Sequence, residues 1–249
     1  MSRPASPVRA MLALTAMEIR LTARRGENVL VTMIVPAAVL VFFATAGVVP
    51  GAADRPVDFL LPGSLALAVI ATGLVNLGIA TAYERNYGVL KRLGASPLPA
   101  WGLVVAKLAA VLVLEVLQVA LLLAVAVVVL GWSVAPGASI GLFVLAMLLG
   151  TGAFAGLGLL LAGTLRAEAT LALANALFLA FLMVGGIVLP VDHLPAPLAA
   201  LATMLPAAAL SEALRGALGS GGAVGLPLVI LGAWGIVTAG LAARTFRWE

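Results

Sequence analysis

Few side chains in this sequence have both the type and the placement to carry chemistry. Glu115 stands out as the one acid inside the apolar run Leu108–Gly131. Counted from Gly102 at ~1.5 Å per residue, it lies about 20 Å along a helix. Gln118, three residues on, shares its face. A carboxyl group so placed is costly and faces protein interior or a water path. The pair therefore reads either as a polar spot on a transport route or as a buried helix–helix hydrogen bond. Asn76 and Asn175 are weaker cases, read as packing contacts between helices. The single histidine, His193, follows Asp192 and is far along the chain from Ser64. A Ser–His hydrolase needs both groups brought together, which nothing in this spacing suggests. There are no cysteines, so disulfides, thiolate catalysis and Cys-based metal sites are excluded. The only lysines, Lys91 and Lys107, stand outside any GxxxxGK[ST] frame, so there is no phosphate-binding loop of that kind.

The elements that must position these groups are read from composition. Of the 249 residues 63% are apolar and 10% charged. An ordinary soluble domain has ~45–50% and ~25% respectively. Soluble enzymes, nucleic-acid binders and disulfide scaffolds are excluded, and the composition points to an all-α polytopic membrane protein. Six apolar runs are long enough to cross a bilayer: about 29–49, 59–82, 102–131, 140–165, 169–191 and 223–243. Runs so continuous satisfy their backbone as helices. The first exceeds the apolar core of a secretory signal and is read as a span, not a leader. Basic residues set the orientation. With both termini in the cytoplasm, Arg3, Arg9, Arg20, Arg24, Arg25, Arg85, Lys91, Arg92, Lys107, Arg166, Arg244 and Arg247 fall inside, and only Arg55 and Arg215 outside. The pI near 10.3 thus reads as topology.

Three connecting stretches carry more than linkage. Residues 10–25 read as an amphipathic helix on the inner leaflet. Leu14, Met17 and Leu21 are on one face; Glu18, Arg24 and Arg25 lie elsewhere. Residues 83–101 hold Glu84, Arg85, Lys91 and Arg92 and break at Gly94, Pro97 and Pro99. A short helix over Asn86–Leu93 could present a polar face to a cytoplasmic partner; the alternative is a solvated charged loop. Residues 192–222 are apolar but broken at Pro195, Pro197 and Pro206. Their helical pieces, about 197–205 and 207–218, are too short to span and read as external or re-entrant. Glu212 and Arg215 are placed to pair on one of them. Gly152 and Gly156 form a GxxxG, read as tight packing within the subunit.

With these residues in view, the sequence resembles the ABC-2 type permeases, the membrane subunits of ATP-binding-cassette exporters, over about residues 10–245. Leu61-Pro62-Gly63 opens the second span as in that family. The stretch YERNYGVLKRLGASPLPAW is similar to the family loop through Glu84, Arg85, Gly88, Leu90, Leu93, Ser96 and Pro97. Gly185-Gly186 with Pro190, Leu194 and Pro195, then Leu205-Pro206 and Glu212-Ala213-Leu214-Arg215, resemble its closing signature. Asn86-Tyr87 departs from the pattern, since many members keep an acid before the glycine. The short loops are closest to the drug- and lipid-export subgroup.

The resemblance implies roles. Residues 10–25, with Met17, Glu18, Arg24 and Arg25, would be the interfacial connecting helix. Glu84, Arg85, Gly88, Leu90, Lys91 and Arg92 would form the coupling helix that docks on a separate ATP-binding subunit, present in two copies. Pro206, Glu212 and Arg215 would belong to external helices that gate the exit. A second permease, identical or related, would complete the pathway in a bacterial-type plasma membrane. ATP and Mg would be bound by the partner, with no cofactor and no ATPase activity in this chain. Rival readings are an ion-coupled secondary transporter, for which only Glu115 is a suitable intramembrane charge, and a membrane enzyme or non-transporting scaffold.

Overall fold

A computed structural model describes residues 7–24, 26–47, 55–94 and 100–245. Arg3, Arg25, Ser96, Pro97, Pro99 and Arg247, which the sequence reading used, lie outside these. The described residues form eleven α-helices, one π-helical segment and one 3₁₀ turn, with no strand. The protein is an all-α polytopic membrane protein.

The helices are α1 (Pro7–Arg24), α2 (Gly26–Ala46), α3 (Pro56–Val69), α4 (Leu77–Asn86), α5 (Val89–Gly94), α6 (Ala100–Val128), α7 (Ile140–Thr164), α8 (Ala167–Val184), α9 (Ala196–Ala202), α10 (Pro206–Leu218) and α11 (Gly225–Thr245). The π segment Ile70–Asn76 joins α3 to α4 in one continuous rod, Pro56–Asn86. Among the described residues, five helices are long and apolar enough to cross a membrane: this rod, α6, α7, α8 and α11. They match five of the six expected runs. The sixth run falls on α2, whose apolar part is Leu30–Ala46. At ~1.5 Å per residue that part is about 26 Å long, at the short end of what crosses ~30 Å of hydrocarbon.

The rod is the centre of the bundle. Every residue from Leu60 to Leu74 is buried, on all sides of the helix. A helix apolar all round must be surrounded by others. Here α2, α6, α7 and α10 pack around it. Close approach requires small residues. A Cβ on Gly63 would collide with the backbone carbonyl of Ile187, and one on Gly158 would lie 2.6 Å from the carbonyl oxygen of Gly73. The GxxxG pair divides: Gly156 meets Thr238 of α11, as tight internal packing requires, whereas Gly152 faces open space.

Several ends differ from the sequence reading. The fifth span stops at Val184, seven residues short of the expected end at 191. Gly185 closes the helix on the carbonyl of Phe181 and Gly186 turns the chain at φ +64°, a conformation that favours glycine. The short helix expected over Asn86–Leu93 begins only at Val89, because Tyr87 and Gly88 form a turn with Gly88 at φ +69°. The outer pieces fold as α9 and α10, bent by 75°. Pro206 sits at the first position of α10, where its missing N–H costs nothing. Gly219 ends the helix in the left-handed conformation, with Ser220 N bonded to the carbonyl of Arg215 at 3.0 Å and Gly219 N to that of Gly216 at 3.3 Å. Trp234 Nε1 donates to the carbonyl of Met204 at 2.9 Å, fixing the α9–α10 corner to α11.

Candidate functional site

At the α5 end of the bundle, three charged side chains from three helices converge. Lys107 is 3% exposed, near the start of α6. Its Nζ donates to Glu18 Oε1 of α1 at 2.9 Å and to Glu84 Oε2 of α4 at 2.6 Å. An ammonium has three protons and no acceptor, so one lysine serves two carboxylates with good geometry. Buried this deeply, the lysine is tolerable only because it is paired. The same charges hold the two acids inward. Glu18 is one turn from Leu14, and its face therefore follows Leu14 into the protein. This corrects the expectation that Glu18 lies away from the buried stripe. Met17, Leu21 and Arg24 remain exposed.

Beneath the charges, Leu90 of α5 is fully buried against Leu14 of α1 and Leu103 and Ala106 of α6. The six-residue α5 could not hold its helical form alone; this apolar contact seats it. The neighbouring Arg85 points elsewhere. Its Nη2 donates to the carbonyl of Leu165, at the corner between α7 and α8. The end of α4 is therefore clamped to α1, α6 and the α7–α8 corner at once.

This placement divides the residues expected to dock a partner. Glu84 and Arg85 are spent on bonds within the chain, Leu90 is buried, and Gly88 makes the turn. The outward polar surface consists of Asn86, Tyr87, Lys91 and Arg92, all exposed. Sequence reading assigned Lys107 only to topology. The signal was present: a lysine two turns into an apolar helix needs counter-ions.

The second group of expected residues lies mid-bundle. Gln118 and Glu115 are both buried and both bridge helices. Pro36 interrupts α2 and has no N–H to offer the carbonyl of Thr32. Gln118 Nε2 takes that carbonyl at 3.1 Å, while its Oε1 accepts from Thr72 of the π segment at 2.8 Å. Gln118 thus repairs a helix that proline breaks. Glu115 Oε2 is 2.6 Å from Thr151 Oγ1, which is also 2.8 Å from the carbonyl of Met147. Glu115 thereby bonds α6 to α7 through Thr151. Both side chains therefore make hydrogen bonds between helices. Asn76 and Asn175 instead line a cavity of about 280 Å³ between α2, the rod and α8, and Asn175 Nδ2 donates to the carbonyl of Leu171 in its own helix at 2.8 Å.

At the opposite end, Arg215 Nη1 donates to Glu212 Oε2 at 3.1 Å, as the i, i+3 spacing predicts. Its Nη2 donates to the carbonyl of Gly186, and the guanidinium stacks 4.0 Å from the ring centre of Phe59. Helix α10 is thereby tied to the start of α3 and the end of α8. His193 Nδ1 meets only Asp192 Oδ1 of its neighbour, at 3.2 Å, and Ser64 is buried in α3. Among the described residues no cluster of acids and histidine could hold a metal.

Comparison with known proteins adds one result. The family model described as ABC-2 type transporter matches residues 9–218, from α1 to the end of α10. No curated protein matches the chain.

Two outcomes follow from the geometry. Lys107→Met strands two carboxylates and destabilises the purified chain by about 3–5 kcal/mol, read from unfolding in detergent; adding Glu18→Gln and Glu84→Gln recovers most of the loss. Glu115→Gln, which keeps a side-chain oxygen for the Thr151 hydroxyl, keeps stability and activity near wild type, whereas Glu115→Leu lowers both in the same assays.

Proposed function

The chain belongs to the ABC-2 type transporter family and is a membrane permease of an ATP-binding-cassette transporter, and from that premise we propose that it exports a hydrophobic or amphipathic substrate, of drug, antibiotic or lipid type. The family implies an ATP-binding partner subunit. In this reading two such subunits bind and hydrolyse ATP with Mg, and this chain contributes no ATPase activity of its own. A second permease, identical or related, forms the pathway with it in a bacterial-type plasma membrane, with both termini on the cytoplasmic side.

The observation that carries the reading is the way α5 is mounted. A six-residue helix is held by one buried leucine, leaves Tyr87, Lys91 and Arg92 outward, and sits against α1 and α6. Directly before it in the chain, Glu84 is bonded to the Lys107 that also holds Glu18. A push on α5 therefore reaches three helices without first compressing a flexible linker. ATP binding in the partner favours one access state by binding it better than the other, as any ligand-driven switch requires. The apolar walls of the bundle suit an apolar or amphipathic substrate.

The test reverses the exposed charges. Lys91→Glu with Arg92→Glu leaves the chain folded, because both side chains are exposed, but abolishes copurification with the ATP-binding subunit and ATP-driven transport. Retention of the complex and of transport in the double variant contradicts docking through α5. ATPase activity from the isolated chain contradicts the division of labour.

A further inference from the structure

The end of the bundle away from α5 holds a cavity of about 680 Å³ between α9, α10, α11 and the start of α3. That volume suits a drug-sized molecule. Its wall is mostly apolar, with Phe59, Ala200, Thr203, Ala209, Leu226 and Ile230 from four different helices. The α9–α10 bend and the Trp234–Met204 bond hold these surfaces apart.

The charges on this wall are unequally presented. Arg215, Glu212 and Asp192 all line it. The Arg215 side chain is 8% exposed, whereas Glu212 is 41% and Asp192 81% exposed. The guanidinium is drawn into the wall by Glu212, the carbonyl of Gly186 and the ring of Phe59. Glu212 and Arg215 neutralise one another, and the second Glu212 oxygen accepts from Ala223 N at 3.1 Å. A molecule entering the cavity therefore meets apolar walls and the exposed carboxylate of Asp192, whose Oδ1 is 3.2 Å from His193 Nδ1.

We propose that this cavity binds an amphipathic organic cation, with its apolar body against α9–α11 and its positive charge beside Asp192, and that it is the last station of that cation on its outward route. The assignment of a route rests on the permease reading above; the binding site rests on the cavity alone. An anion of the same shape is disfavoured by Asp192.

The experiment uses the full chain in lipid nanodiscs and two probes of nearly equal shape and opposite charge, tetraphenylphosphonium and tetraphenylborate. Saturable tetraphenylphosphonium binding is expected, with no competition from tetraphenylborate. Asp192→Asn, an exposed change that leaves the fold intact, weakens binding by up to about fivefold, the range of one exposed ion pair. Ala200→Trp, which fills the cavity from the exposed face of α9, abolishes it. Equal binding of both ions, or unchanged tetraphenylphosphonium binding in both variants, overturns the proposal. Failure here is separable from failure of the permease reading. A complex that couples ATP hydrolysis to transport but binds no cation overturns the cavity alone. Cation binding by a chain that never copurifies with an ATP-binding subunit upholds the cavity and overturns its place on a transport route.

Discussion

Lys107 is the constraint on which the rest of this structure turns. Its ammonium is buried at the start of a largely apolar helix, and burial of a charge without partners costs several kcal/mol. Satisfying it draws Glu18 and Glu84 from two other helices. That requirement decides which face of α1 turns inward and how the end of the rod is anchored. Leu90 then packs beneath the charges and fixes α5. The four elements at this end are held by one polar knot over one apolar cluster, and both would have to break before any of them moved alone.

The opposite end is built on the same logic, a buried cation paired with an acid. Arg215 is covered by Glu212, Gly186 and Phe59, which ties α10 to the start of α3 and the end of α8. Between the two ends, the rod Pro56–Asn86 is encased on all sides, and the π segment lies where Gly73 and Gly158 bring two backbones together. A rod with a charged anchor at one end and a stacked arginine at the other is suited to carrying displacement along its length. Gln118 and Glu115 brace this body by bonding across helices.

Much of this was legible in the sequence, and the reasons are specific. Long charge-free runs dictate helices in lipid, so the spans were readable to within a few residues. Pro206 and Gly219 mark the ends of α10 by turn chemistry alone, and Glu212–Arg215 follows from helical spacing. The misplaced features depend on partners far away in the chain. Nothing near Glu84 says that Lys107, 23 residues on, will claim it. The role of Gln118 depends on a proline 82 residues earlier, whose orphaned carbonyl only the fold brings within reach. The extent of the fifth span was overestimated because Gly185-Gly186 is followed by more apolar residues, and hydropathy does not register a turn.

The claim that most needs testing is that α1, α5 and the start of α6 move as one body when the partner turns over ATP. The chain has no cysteine, so spin labels can be placed at the exposed Arg20→Cys on α1 and at the half-buried Val89→Cys on α5, away from the docking side chains. Their separation is measured by pulsed electron resonance in the assembled transporter, without nucleotide and with ATP trapped. A single distance distribution, unchanged between the two conditions, is the predicted result. A clear shift or a second population on ATP binding would show that α5 moves independently of α1, and the Lys107 knot would then not be what carries the stroke.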